Sequence, residues 1–215
     1  LKKNHTNTNS RAGTGIVSLK NFIDGTTCQN MHINKVGWTY FSVVENFLTA
    51  EECKCIIDSI KEWQLTQIPA GKYSGRDFGD VRRKLGVPPK LLYKDKFDWI
   101  FGKFNHNSYK FNLIDKHSHM VNQYHKGDIL EYHTDEHETV EDLFKGTPAN
   151  RLSCCIYLND NFEGGEFELE GIDKWKPQIG TAIIFPSAQS HRSNYVRSGT
   201  KFNYTVWKKG VRGAY

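Results

Sequence analysis

Cys154-Cys155-Ile156-Tyr157-Leu158 and Ala182-Ile183-Ile184-Phe185 are among the longest apolar runs of the chain, and both have the length of a β-strand. Further short strands are predicted on either side of these two runs, around residues 120–125, 129–134, 166–169 and 201–207. Turn signals separate these strands, namely Lys126-Gly127-Asp128, Gly180 and Arg197-Ser198-Gly199. No apolar run is long enough to span a bilayer as a helix. The second half of the chain is therefore predicted as short strands joined by turns.

The first half carries the helix signals. After a predicted strand at Tyr40–Val44, the capping box Thr49-Ala50-Glu51-Glu52 opens a helix predicted to run to about Trp63. Its core face is formed by residues at helical spacing: Cys53, Ile56, Ile57 and Ile60. A second amphipathic helix is predicted from Lys94 to about Asn107, and the polar stretch 66–86 is predicted as loop. Helices followed by many short strands predict a mainly β fold with supporting helices, a sandwich or jelly roll.

Length and composition limit the class of protein. A chain of 215 residues suits one domain, predicted over residues 31–215, after a loop-rich N-terminal arm at residues 1–30. The net charge of +5 is dispersed, so no nucleic-acid partner is expected. The five cysteines form no C-x-x-C pair and suit a reducing compartment. With no signal-peptide pattern and no membrane span, a cytoplasmic protein without a membrane partner is predicted.

Tyr132-His133-Thr134-Asp135 is the segment that points to chemistry. Side chains two residues apart on a strand share a face, so His133 and Asp135 can bind one ion together. His191 follows the apolar strand that ends near Ser187, which would deliver a third ligand to the same cavity. Two imidazoles and one carboxylate form the facial triad of non-haem Fe(II) oxygenases, which leaves coordination positions open. An H-x-D pair alone is weak, so the prediction depends on the distal histidine and on an anion-binding residue.

Lys201 is that candidate anion-binding residue. It lies ten residues after His191 and begins a run whose cavity face is predicted to carry Lys201, Asn203, Thr205 and Trp207. A buried lysine needs an anionic partner. The distal carboxylate of 2-oxoglutarate would supply one.

Several blocks of the sequence carry a resemblance to a known family. They are Val44-Glu45-Asn46-Phe47-Leu48, Gln123-Tyr124 through Gly127 to Asp135, Arg151 to Asn159, Gly164-Gly165-Glu166-Phe167, Phe185-Pro186-Ser187, His191-Arg192 and Gly199-Thr200-Lys201-Phe202. Over about residues 41–207 the chain resembles the prolyl 4-hydroxylase-like branch of the 2-oxoglutarate/Fe(II) dioxygenases, especially its bacterial and phage-type members. The resemblance implies a double-stranded β-helix (jelly-roll) core.

The resemblance also implies roles for individual residues. His133, Asp135 and His191 would form the catalytic iron centre, and Lys201 would pair with the C5 carboxylate of 2-oxoglutarate. Tyr157 stands where a family tyrosine donates to that carboxylate, and Tyr124 where another borders the co-substrate. Many relatives carry arginine in place of Lys201, and lysine supplies the charge without the two-pronged geometry.

The implied activity is hydroxylation of a C–H bond in a peptidyl residue, with proline as the first choice and succinate and CO2 as co-products. The implied cofactors are Fe(II), 2-oxoglutarate and O2, with ascorbate as an optional addition. Two alternatives stay open: a hydroxylase of a free amino acid, small metabolite or nucleobase, and a non-catalytic jelly-roll binding module. The partner is accordingly a peptide, a protein or a small molecule, in the host cytoplasm if the gene belongs to a phage.

Other patterns have competing interpretations. His133 and His137 have zincin spacing, but Thr134 stands where the catalytic glutamate would be. His117-Ser118-His119 is a second same-face histidine pair, for which a surface or strand-lining role is predicted. Glu163-Gly164-Gly165-Glu166 lacks the lysine of a phosphate-binding loop and is predicted as a hairpin turn. The arginines at positions 76, 82, 83 and 192 either border a substrate entrance or are exposed charges.

Overall fold

The computed structural model describes residues 31–69, 71–73, 76–78, 80–136, 145–176 and 178–211. The arm predicted for residues 1–30 and His137 lie outside these ranges. The described part contains the helices α1 (Ala50–Asp58) and α2 (Lys94–His106). Its strands are β1 (Asn34–Val36), β2 (Thr39–Val44), β3 (Gln64–Ile68), β4 (Gly71–Tyr73), β5 (Arg76–Phe78), β6 (Val81–Gly86), β7 (Asn112–Tyr124), β8 (Ile129–His133), β9 (Ala149–Tyr157), β10 (Phe162–Gly164), β11 (Phe167–Leu169), β12 (Asp173–Trp175), β13 (Ala182–Pro186), β14 (His191–Ser193), β15 (Val196–Gly199) and β16 (Lys201–Val211).

Twelve of the described strands form one curled antiparallel sheet. Its order is β1-β2-β13-β9-β16-β7-β6-β8-β14-β11-β12, with β3 added to β6. Two further strand pairs, β10-β15 and β4-β5, stand beside it. This is the mainly β, jelly-roll fold predicted from the sequence, and the prediction is confirmed. The curl brings β8 and β14 to face β7 and β16 across a cavity that all four strands line.

The two faces of β16 show why this sequence forms this sheet. Tyr204 and Val206 lie on the outer face, in the main hydrophobic core. Residues at the alternate positions line the cavity instead: Lys201, Asn203, Thr205 and Trp207. The period of two therefore separates an apolar face from a polar one. Helix α2 packs on this core with the side that the sequence predicted to be apolar. The residues of that side are all fully buried: Phe97, Ile100, Phe101 and Phe104.

Helix α1 begins as predicted but ends earlier. The Thr49 side chain accepts from the Glu52 N–H, and the Glu52 carboxylate accepts from the Thr49 N–H, so the capping box is confirmed. The helix stops at Asp58 and not near Trp63, because Ser59 caps it and its hydroxyl donates to the Ile56 carbonyl at 2.6 Å. Ile60 and Trp63 still pack on the core, although they lie beyond the helix.

Three other sequence predictions need correction. The stretch 66–86 is not loop but carries most of β3 and all of β4, β5 and β6, because β3 pairs with β6 and β6 pairs with both β7 and β8. Strand β7 begins at Asn112, well before the predicted 120, because its long partner β16 continues to Val211. Gly164 and Gly165 both have positive φ where the chain leaves β10, but β10 pairs with β15 and β11 with β14, so the predicted hairpin is wrong.

In the described ranges, neither helix combines the length and the apolar character that crossing a bilayer requires.

Candidate metal and co-substrate site

Two neighbouring strands bring the predicted metal ligands together. His133 ends β8 and His191 begins β14, and these two residues are direct partners in the antiparallel pair. Asp135 follows two residues after His133. Its carboxylate oxygens lie 3.6 Å from His133 Nε2 and 3.4 Å from His191 Nε2. All three ligand atoms lie within 4.8 Å of one another, so they fit one metal ion.

Backbone carbonyls fix the orientation of both imidazoles. His133 Nδ1 lies 2.8 Å from the Glu131 carbonyl, and His191 Nδ1 lies 2.9 Å from the Gln189 carbonyl. Because a carbonyl only accepts, each Nδ1 is the protonated nitrogen. The Nε2 lone pairs therefore point toward Asp135, in the tautomer that a metal ligand requires.

The protonation states also suit a metal. Burial lowers the pKa of His191 to about 4, so its imidazole is neutral at neutral pH. Burial opposes ionisation of Asp135, but the two nearby imidazoles outweigh it and hold its pKa well below the usual range. Ser153 supports the carboxylate further, donating to Asp135 Oδ2 at 2.8 Å. The site offers two imidazole nitrogens and one carboxylate, as a facial triad does.

The triad lines a cavity of about 400 Å³. Lys201 lines the same cavity and is 1% exposed. Its ammonium donates to the Gly165 carbonyl and to Ser193 Oγ, each at 2.7 Å. Burial lowers the pKa of Lys201 to about 8. No carboxylate of the described residues lies within ion-pair distance of its Nζ, so the amine is a buried cation that an incoming anion would stabilise.

The two predicted tyrosines are placed differently. Tyr124 lines the cavity, and its ring lies 5.0 Å from Lys201 Nζ. The Tyr157 ring is equally close, at 4.9 Å, but its hydroxyl donates to the Gly165 carbonyl at 3.0 Å and does not line the cavity. Burial raises the pKa of both phenols, so both are neutral hydrogen-bond donors. The geometry favours Tyr124 as the direct neighbour of a co-substrate, and the role predicted for Tyr157 stays a prediction.

Three further positions lie at the candidate site. Ser153 and Gly165 were not predicted as site residues, whereas Arg83 was predicted either to border a substrate entrance or to be an exposed charge. Ser153 supports Asp135, the Gly165 carbonyl holds both Lys201 and Tyr157, and Arg83 lines the cavity with its Nη1 3.5 Å from the Tyr124 hydroxyl. Strand periodicity contained a signal for Ser153, since it lies two residues before Cys155, which lines the cavity. The role of the Gly165 carbonyl could not be predicted from the sequence, because every residue type has a backbone carbonyl.

A second cluster of ligand-type residues does not resemble a metal site. Asp98, Asp115 and His117 lie close together. However, Lys208 Nζ lies 2.8 Å from Asp98, and Lys94 Nζ lies 2.9 Å from Asp115. Burial lowers the pKa of His117 to about 4. The cluster is an ion-pair network with its cations already present.

Comparison with known proteins agrees with this geometry. Residues 119–209, which include the triad and Lys201, match the family model of the 2OG-Fe(II) oxygenase superfamily. The chain is 33% identical over 96 residues to a PKHD-type hydroxylase of Picosynechococcus sp., and 36% identical over 73 residues to one of Prochlorococcus marinus. These alignments cover 42% and 32% of this chain, and 41% and 33% of the relatives, so the chain spans well under half of the curated relatives it matches.

Solved structures share the fold. A viral collagen prolyl hydroxylase from Paramecium bursaria Chlorella virus-1 has a TM-score of 0.54 at 20% identity, covering 80% of this chain and 96% of that one. A prolyl-4-hydroxylase of Pseudomonas putida has a TM-score of 0.56 at 16% identity, covering 80% and 93%. A prolyl hydroxylase of Trichoplax adhaerens, solved with a hypoxia-inducible-factor peptide, has a TM-score of 0.58 at 17% identity, covering 78% and 82%. The resemblance to 2-oxoglutarate/Fe(II) dioxygenases is confirmed, and Fe(II), 2-oxoglutarate and O2 are the cofactors of that family.

Proposed function

We propose that this protein is a dioxygenase that uses Fe(II), 2-oxoglutarate and O2 to hydroxylate a C–H bond of a peptidyl residue, with proline as the first candidate. Succinate and CO2 would be the co-products. One observation carries the proposal. The cavity that is lined by three converging metal-ligand atoms is also lined by a buried lysine with no carboxylate of the described residues beside it. A binding module that kept only the scaffold would have no need of both.

Each residue has a definite task in this proposal. His133, Asp135 and His191 hold the metal, and Ser153 fixes the carboxylate that faces the two imidazoles. When bound, Fe(II) and 2-oxoglutarate supply the activation of O2. Lys201 neutralises the distal carboxylate of the co-substrate, while the Tyr124 hydroxyl lies within reach as a donor. Tyr157 keeps the Gly165 carbonyl, and with it the lysine, in position.

A groove beside the cavity favours an extended substrate. It has a volume of about 350 Å³ and is lined by residues that include Gln64, Leu85, Val87 and Met120. Met120 lines both the groove and the cavity. Leu65 and Val87 near this groove are 64% and 63% exposed. An open, partly apolar groove beside the cavity suits a peptide better than a small metabolite.

The proposal is tested by anaerobic titration of the protein with Fe(II) and 2-oxoglutarate. We expect the weak visible charge-transfer band of the chelate in the wild type and no band in His133→Ala. Aerobic incubation with proline-containing peptides is then followed by mass spectrometry for the gain of one oxygen, and by succinate release. A wild-type protein that forms no chelate band would refute the proposed cofactor chemistry.

A free amino acid or small metabolite is the second candidate substrate. It is favoured by orphaned buried polar atoms on the cavity wall, among them Asn122 Oδ1 and Asn203 Oδ1. The same mass-spectrometric assay, run with free amino acids, separates the two. Whether ascorbate supports turnover is answered by adding it to that assay. We also propose a cytoplasmic location, since the four described cysteines are free.

A further inference from the structure

We propose that Arg83, with Thr66 beside it, binds a carboxylate carried by the substrate, and so selects substrates that bear a negative charge close to the oxidised carbon. The inference rests on the proposed function, because it assigns a substrate feature to the same cavity.

Strand pairing places the two residues side by side. Thr66 of β3 and Arg83 of β6 are direct partners in the antiparallel pair, and both line the cavity. The next inward-facing pair, Ile68 and Val81, also lines it. Val81 is in turn the partner of Leu130 on β8, the strand that ends at His133. The β3–β6 pair therefore presents a cation and a hydroxyl beside an apolar surface, along a wall that leads to the metal ligands.

The charge of Arg83 is uncompensated, in contrast to its neighbours. Arg82, Arg192 and Arg197 each lie within ion-pair distance of a carboxylate, on Asp128, Glu168 and Glu166 respectively. Arg83 has no such carboxylate in the described part of the chain. Among the described residues, its Nη1 reaches only the neutral Tyr124 hydroxyl, at 3.5 Å, and its Nε is buried without an acceptor. A buried guanidinium nitrogen without an acceptor is costly unless a ligand supplies one.

The charges of the loaded cavity identify the missing partner. Asp135 is the only acidic residue among the cavity-lining residues that the structure describes, and Arg192, which also lines the cavity, is already paired with Glu168. A divalent ion and Lys201 together balance Asp135 and the two carboxylates of 2-oxoglutarate. Arg83 is then left as a surplus positive charge facing the space for the substrate. A guanidinium pairs best with a carboxylate, through two parallel hydrogen bonds. The α-carboxylate of a free amino acid, a peptide C-terminus and an acidic side chain are the possible sources.

Binding, separated from turnover, tests the assignment. The probes are three pairs that differ only in charge: L-proline and L-prolinamide, acetyl-Gly-Pro and its amide, and acetyl-Pro-Glu-amide and acetyl-Pro-Gln-amide. Each is titrated anaerobically into the protein loaded with Fe(II) and 2-oxoglutarate, and the shift of the charge-transfer band gives its dissociation constant. We expect the charged member of at least one pair to bind at least ~10-fold more tightly, the effect of one charge-assisted pair of hydrogen bonds. The pair that discriminates identifies the source of the carboxylate.

The variants make the result specific to Arg83. Arg83→Gln is expected to reduce the discrimination to below about twofold, and Arg83→Lys, which keeps the charge without the fork, to retain only part of it. Arg197→Gln is the matched control at an exposed arginine and should leave the discrimination intact. Circular dichroism checks that each variant is folded, and Arg83→Lys serves if Arg83→Gln is not.

Three results would overturn the inference. The first is that no charged probe binds better than its neutral partner. The second is that Arg83→Gln weakens both members of a pair equally. The third is that Arg83→Gln weakens 2-oxoglutarate itself as strongly as Lys201→Ala does, which would assign Arg83 to the co-substrate. A wild type that shows no chelate band is a different failure, because it refutes the proposed function before any probe is added.

Discussion

The Ser153 hydroxyl donates a hydrogen bond to Asp135 Oδ2 at 2.8 Å, and the same oxygen of Asp135 faces His191 Nε2. Ser153 is fully buried on β9, while Asp135 follows the end of β8, so the bond joins two elements that are not neighbours in the sheet. Ser187 Oγ lies 2.9 Å from Ser153 Oγ and completes the contact. The only carboxylate of the triad is thus held by β9, independently of the two histidines.

Ser153→Ala should therefore weaken metal binding without removing a ligand. Loss of a hydrogen bond to a ligating carboxylate costs about 10- to 100-fold in metal affinity. The measurement is a competitive Fe(II) or Co(II) titration. Ser42→Ala is the control, since Ser42 is equally buried and its hydroxyl donates to the His32 carbonyl, away from the site. Unchanged metal affinity in Ser153→Ala would show that the histidine pair fixes Asp135 without help.

The affinity for 2-oxoglutarate should fall as the pH rises through about 8. Burial lowers the pKa of Lys201 to about 8 in the free protein, so the amine is charged below that pH and neutral above it. Only the charged form attracts the distal carboxylate, so the dissociation constant should rise by up to about tenfold per pH unit above the pKa. Titration of the chelate band from about pH 7 to about pH 9.5 measures this.

Lys201→Arg is the control for that profile. Arginine stays protonated over the whole range, so pH effects on the metal alone would remain in this variant and the lysine effect would vanish. Lys201→Ala should raise the dissociation constant of 2-oxoglutarate while leaving metal affinity nearly unchanged. If the wild type and Lys201→Arg had the same slope, Lys201 would not be the titrating group.

Gly165→Ala should damage the co-substrate site specifically. Gly165 has a φ of +64°, which strains any residue with a Cβ, and an added Cβ would lie 3.0 Å from Lys201 Cδ. The Gly165 carbonyl is also the acceptor that holds the Lys201 ammonium. We expect weaker 2-oxoglutarate binding with metal affinity retained. Gly171→Ala, at a similar φ of +72° with open space around it, is the control. Equal losses in both variants would indicate general strain and no special role for Gly165.

The candidate site shows what a sequence can and cannot specify. His133, Asp135 and His191 were predictable because their residue types and strand phase together point to a metal. The hydroxyl direction of Tyr157 was not, since the phase of a strand tells which face a side chain occupies but not where its terminal atom ends. The uncompensated charge of Arg83 was also hidden, because only the fold shows which arginines have a carboxylate nearby.

The errors in the predicted fold have similar causes. Residues 64–86 contain few apolar side chains. Their strands form because β6 pairs with β7 and β8, two strands that come much later in the sequence. Pairing of this kind overrides local composition. The apolar runs at β9 and β13 were predicted well, because strands buried on both faces are apolar throughout. The predicted helix α1 was too long because Ile60 and Trp63 continue the apolar pattern after the Ser59 cap.

Phe97→Ala should destabilise the fold strongly yet spare the site. Phe97 is fully buried on α2, and its ring lies 5.7 Å from that of Tyr204 on the outer face of β16. A phenylalanine-to-alanine change in a core costs about 3–5 kcal/mol of unfolding free energy. The measurement is denaturant unfolding, with Leu65→Ala, which removes a 64% exposed side chain, as the control. Lys201, Asn203 and Thr205 occupy the opposite face of β16, so the variant that remains folded should bind 2-oxoglutarate with nearly wild-type affinity. A large loss of that affinity at low temperature would show that α2 positions the cavity face of β16 as well as closing the core.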